Sequence, residues 1–237
     1  MIWSFLFAHF LVDFVLQSKE TAENKLDWKN TLKHCLWIFG VTLIIVLLTG
    51  FRDWKVVPVV LTIAITHGFI DFLKAKIENK LDFKWSWLLF AVDQLLHVTI
   101  IFVSIIIFYP DLNTGYTFKI STIFFNENII KIFSFLILIT FGGCYFTAKV
   151  CRVFEPVERN TDTSLSKAGR YIGILERLIV TASILIGRYE IIGFLIAAKS
   201  IIRHPEKDDK KFAEYFLIGT FTSFIWAAFF TFLFIKL

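Results

Sequence analysis

"MIWSFLFAHFLVDFVLQ" (Met1–Gln17) is apolar except at Ser4, His9, Asp13 and Gln17. As a helix it would be about 25 Å long, close to the roughly 30 Å hydrocarbon thickness of a bilayer. It lacks the basic leader and small-residue cleavage site of a secretory signal, so it is expected to stay as a first membrane helix. His9 and Asp13 are spaced i, i+4 and share one helix face. An ionisable residue at the bilayer centre costs about 2.5–3.5 kcal/mol, whereas each Leu, Ile, Phe or Val returns only about 0.3–0.6. Groups this costly face a bundle interior and mark a site.

The rest of the chain repeats this pattern. Its 237 residues are 57% hydrophobic, with 29 Phe and a mean hydropathy of +0.69, and the apolar residues come in long unbroken runs. Such runs predict an all-α, polytopic membrane helix bundle and exclude a barrel, whose strands would alternate. Eight segments are expected, at about 2–17, 31–49, 57–73, 85–109, 129–149, 171–187, 190–203 and 212–235. Pro58, Pro110, Pro156 and Pro205 fall at or near their edges, where a helix tolerates proline. The whole of 1–237 reads as a single integral membrane domain.

The stretch 171–203 is either one overlong helix, giving seven segments, or a hairpin turning at "GRYE" (Gly187–Glu190). Charge separates the two. Summed over alternate loops, Lys and Arg number 18 on one side and 6 on the other, with Arg177 inside a segment. The positive-inside rule puts the richer loops in the cytoplasm and both termini outside. One long helix would move the basic residues of 199–211 outside, so the hairpin is expected. The expected location is a bacterial inner (plasma) membrane, crossed several times. The lipid bilayer is the expected partner, and the net charge of +5 needs no nucleic acid, because the loops account for it. A homo-oligomer or a cytoplasmic protein partner stays open. Cys35, Cys144 and Cys151 show no C-x-x-C spacing and read as packing residues.

Two further His–Asp pairs at helical spacing lie inside segments: His67 and Asp71 in "HGFID", and Asp93 and His97 in "DQLLH". A fourth, His204 and Asp208 in "HPEKDDKK", reads as solvated surface. From the helical rise, His9, His67 and Asp93 lie about 10–13 Å in from the cytoplasmic helix ends, with Glu176 at about 9 Å. Four helices thus bring polar groups to one layer. Imidazole with carboxylate is the ligand set of zinc, iron or manganese. His9, Asp13, His67, Asp71, Asp93 and His97 supply six candidate metal ligands, enough for one ion with its supporting shell or for two. The same residue types also build proton or ion paths and interhelical hydrogen-bond networks.

Around this set, Glu176 is the candidate general base and Arg177 a candidate contact for an anion or lipid headgroup. A structural ion pair with other helices is the alternative for both. His34 reads as an interfacial histidine or a further ligand, and Gln17 and Gln94 as groups that orient ligands or bind at helix interfaces. Lys74 shares the face of His67 and would hold a phosphate or snorkel to the interface, and Lys199 carries the same choice. Gly169 and Gly173 are spaced for close helix packing. No nucleophile elbow, P-loop, dinucleotide turn or H-E-x-x-H motif occurs.

Several stretches carry a resemblance: "AHFLVDFVLQ" (Ala8–Gln17), "HGFIDFLK" (His67–Lys74), "DQLLH" (Asp93–His97), "GILERL", "IGFLIAAKSI" and "AEYFLIGT". With its HxxxDFxLQ, HxxxD and DQxxH patterns the chain resembles a family of bacterial integral membrane proteins known as a domain of unknown function. The resemblance implies the location and the choice of residues, and it implies no reaction. The layered His/Asp arrangement is also loosely similar to membrane-embedded metal-dependent hydrolases. Three functions are therefore expected in order. The first is a metal-binding membrane protein, a hydrolase of a lipid-like or phosphate-bearing substrate. The second is a proton- or cation-coupled transporter or channel component. The third is a non-catalytic partner or sensor whose loops at 74–84, 150–170 and 204–211 bind another protein.

Overall fold

A computed structural model describes residues 1–110, 126–154, 163–202 and 210–237, and every regular element among the described residues is helical. Eight helices match the eight expected segments. They are α1 (Ile2–Leu16), α2 (Trp28–Leu48), α3 (Val56–Glu78), α4 (Ser86–Phe108), α5 (Glu127–Val153), α6 (Thr163–Leu185), α7 (Glu190–Ile202) and α8 (Lys210–Lys236). Five spans are long and apolar enough to cross a membrane: α2, α3, α4 with its lead-in turn, α5 and α8, with α1 a shorter apolar helix. The protein is a helical membrane protein. Pro156, Pro205 and the pair His204 and Asp208 lie outside the described residues, as do 155–162 of the loop 150–170 and 204–209 of the loop 204–211.

The stretch 171–203 turns rather than continuing. Gly187 has φ +70°, and its N–H donates to Ile184 O at 3.1 Å while Arg188 N–H donates to Ser183 O at 2.9 Å. These are the paired bonds of a Schellman stop, whose left-handed residue favours glycine. The carbonyls ending α6 are thereby satisfied, and α7 folds back to pack on α6. At the other kind of terminus, the Asp27 carboxylate accepts from Lys29 N–H at 3.0 Å and starts α2. Thr31 Oγ1 also donates to Lys25 O at 2.7 Å, which ties the preceding loop to the first turn of α2.

The chain divides into two compact units, Met1–Ile137 and Leu138–Leu237. In the first, α2 packs on α3, α3 on α4, and α1 on α2, α4 and the opening turns of α5. In the second, α8 packs on α6 and on the latter part of α5. Each helix of the first unit buries a single stripe. In α3 this stripe is Val56, Val60, Ile63, His67 and Asp71; in α4 it is Phe90, Asp93, His97, Ile101 and Ser104. The opposite faces carry Ile65, Phe69, Leu95 and Ile107, each more than 60% exposed. The order is that of a membrane protein: apolar residues face lipid, and the costly polar groups lie on the interior stripe.

Candidate metal centre

The stripes of the first unit converge. α1 contributes His9 and Asp13, α2 His34, α3 His67, Asp71 and Lys74, α4 Asp93, Gln94 and His97, and the loop before α2 adds Lys25. None of the seven histidine and aspartate side-chain bearers is more than 7% exposed. Asp13 sits in a π-helical turn, Val12–Leu16, closed by Gln17 N–H donating to Val12 O at 2.8 Å. Turns of this kind are rare and often lie at functional sites.

Four donor atoms from three helices meet at the centre. His34 Nε2 lies 3.0 Å from His67 Nε2. Asp13 Oδ1 is 3.3 Å from each of these nitrogens, and Asp71 Oδ2 is 3.5 Å from each. A tetrahedral first-row ion with bonds of about 2.0–2.1 Å holds its donors about 3.3 Å apart. Two triangles that share the His34–His67 side, one closed by Asp13 Oδ1 and one by Asp71 Oδ2, therefore each have the spacing of donors around such an ion. Asp13 Oδ1 is buried and makes no close hydrogen bond.

A second group adjoins the first. His97 Nε2 lies 3.3 Å from Asp93 Oδ1 and 3.7 Å from Asp71 Oδ1, and none of these three atoms has a hydrogen-bond partner. The His67 and His97 rings stack at 3.8 Å. His9 packs its ring 5.3 Å from that of His97, holds Nδ1 3.9 Å from Asp13 Oδ2, and leaves Nε2 without a partner. Buried groups in three combinations can thus hold a metal ion: His9, Asp13 and His67; His34, His67 and Asp71; and Asp71, Asp93 and His97.

Lysines frame the cluster. Lys25 Nζ lies 2.6 Å from Asp71 Oδ2, and Lys74 Nζ 2.8 Å from Asp93 Oδ2. Gln94 Nε2 donates to Asp93 Oδ2 at 3.2 Å and approaches Asp13 Oδ2 at 3.4 Å, so it orients both carboxylates. Two side chains read from the sequence find their partners here, and a third joins them. His34, read as an interfacial histidine or a further ligand, is buried against His67. Lys74, read as a phosphate contact or a snorkelling lysine, turns its ammonium inward to the Asp93 carboxylate. Lys25 went unnoticed, since a loop lysine has no signal beyond the positive-inside count. Gln17 Nε2 is buried without a hydrogen-bond partner.

Glu176 and Arg177 belong to the second unit, and each has its own partners there. Glu176 Oε2 accepts from Lys199 Nζ at 2.7 Å. Arg177, 2% exposed, donates to Ser223 Oγ at 2.8 Å, to Thr140 O at 3.0 Å and to Cys144 Sγ at 2.7 Å. The two neighbours point to different partners, as adjacent helical positions require. Lys199, like Lys74, is held by a carboxylate instead of reaching for the interface. A Cβ on Gly143 would lie 2.8 Å from Arg177 Cδ and 2.9 Å from Trp226 Cδ1. Both neighbours are pinned, Trp226 by its Nε1–H donating to Leu138 O at 3.1 Å. Gly143→Ala is therefore expected to cost about 1–3 kcal/mol through overpacking, read as a lower unfolding midpoint in detergent micelles.

With this geometry in hand, comparison with known families gives one match. A family described as a protein of unknown function (DUF3307) matches residues 1–125. The chain belongs to this family. The matched DUF3307 region contains every member of the polar cluster, from His9 to His97, and neither Glu176 nor Arg177. No curated protein and no solved structure matches the chain.

Proposed function

We propose that this DUF3307 protein is an integral membrane metalloprotein that hydrolyses a lipid-like or phosphate-bearing substrate. The observation that carries the proposal is the pair of facing imidazole nitrogens, His34 Nε2 and His67 Nε2, 3.0 Å apart, with Asp13 Oδ1 3.3 Å and Asp71 Oδ2 3.5 Å from each. His9, Asp93 and His97 complete the donor set or its supporting layer. The soft-to-hard balance of two imidazoles and two carboxylates suits zinc, iron or manganese. A bound ion of this kind would lower the pKa of a coordinated water and supply a nucleophile at neutral pH. Lys25 and Lys74 hold two carboxylates in place and add positive charge that favours an anionic substrate. In this reading the bacterial inner membrane is the location, with the basic loops cytoplasmic and both termini outside. Glu176 as base and Arg177 as anion contact form a separable part of the proposal, since both have partners of their own.

Metal analysis of purified protein tests the reading. A stoichiometric ion bound by the unaltered chain is expected, and its absence after loading with zinc(II), iron(II) or manganese(II) would end the proposal. Transport is a second reading, favoured by the two lysine–carboxylate pairs, which are the parts of a proton relay. It predicts a pH- or cation-dependent flux in proteoliposomes that Asp93→Asn abolishes. Substrate turnover without such a flux would decide for the hydrolase.

A further inference from the structure

We propose that Asp71 bridges two metal ions, and that the second carries the open coordination position. The inference rests on the metal reading above and asks more of it. Asp71 is 1% exposed, and its two oxygens serve different groups. Oδ2 faces His34 and His67 at 3.5 Å, while Oδ1 faces His97 at 3.7 Å. Asp93 Oδ1, 3.3 Å from His97 Nε2, completes the second group. Its three donor atoms, Asp71 Oδ1, Asp93 Oδ1 and His97 Nε2, are buried and make no hydrogen bond, and His97 Nε2 lies between the two carboxylates at 3.7 and 3.3 Å. Leaving two carboxylate oxygens in that state is costly unless a cation joins them.

The two groups differ in number of donors. The first can draw on Asp13 Oδ1, 3.3 Å from both imidazole nitrogens, as a fourth protein donor. The second has three, the pattern of a site that keeps one position for water or another oxygen ligand. A carboxylate bridge holds two ions about 3.5–4 Å apart in two-metal centres. The ligand class is thus a pair of divalent first-row ions sharing Asp71. Lys74 and Gln94 engage the other oxygen of Asp93, Oδ2, which leaves Oδ1 directed at the second ion.

The test uses the full chain in detergent or nanodiscs, stripped with chelator and loaded with manganese(II) or zinc(II). About two ions per chain are expected at saturation, falling to about one in His97→Ala. Manganese-loaded, unaltered protein should give the exchange-coupled resonance of a bridged pair, which requires no variant and so survives any folding defect. His97→Ala should show the uncoupled signal of a single ion. Saturation of the unaltered protein at one ion without coupling would overturn the bridge and leave the single-ion reading standing. Binding of no ion at all would overturn both. Two ions retained in His97→Ala would also defeat the assignment of the second group.

Discussion

Replacing His67 with alanine is expected to weaken metal binding by more than about 100-fold, because the loss of a direct ligand should exceed the 10–100-fold cost of losing a supporting group. His67 Nε2 lies within 3.5 Å of three other donor atoms, more than any residue except His34. Its removal takes away one of the two imidazoles that both Asp13 and Asp71 face. Lys25→Met supplies the comparison. Lys25 touches only Asp71 among the cluster residues, so its loss should fall in the range of about 10–100-fold. Titration of chelator-stripped variants with zinc(II) would give the order His67→Ala worse than Lys25→Met. The reverse order would mean that the lysine–carboxylate pair is the working element, as the transport reading holds. Folding of each variant is checked by its elution volume and unfolding midpoint in the same detergent.

In the second unit, the largest expected effect is on stability. Lys199→Met leaves Glu176, 5% exposed, without the ammonium that lies 2.7 Å from its Oε2. Removing one partner of a buried pair costs about 3–5 kcal/mol, because the other charge stays behind unpaired. The double variant Lys199→Met with Glu176→Gln should recover most of that loss, since two neutral groups carry no such penalty. Unfolding midpoints of the single and double variants measure the coupling. The same pair of proteins addresses catalysis. If Glu176 is a base, the double variant regains stability and stays inactive; if Glu176 is structural, stability and activity return together.

Much of this could be read from the residues in order. The long apolar runs predicted helices because a bilayer leaves no other partner for the backbone, and the structure places a helix at each of the eight expected segments. The asymmetry of Lys and Arg chose the hairpin at 171–203, and Gly187 supplies the left-handed stop that makes it. Six members of the polar cluster were visible because each has a partner four positions away. His34 was hidden because no carboxylate stands three or four positions from it in the sequence, and its neighbour Lys33 made it look interfacial. Lys25 was hidden among other basic loop residues.

The sequence by itself therefore determined what one helix can say: its length, its apolar face, and which costly groups share its interior stripe. Periodicity and charge act within a helix or across one loop, so they are local and legible. What only the tertiary structure decided is how the stripes meet. It turned His34 from α2 toward His67 of α3, brought Asp13 to both from the widened turn of α1, and gave the two oxygens of Asp71 to different neighbours. Those distances depend on helix packing between segments 20 to 60 residues apart in the chain, and no pattern confined to a single helix encodes them. The histidine and aspartate of "MIWSFLFAHFLVDFVLQ" mark an interior face, and the packing of four helices makes that face part of a candidate metal centre.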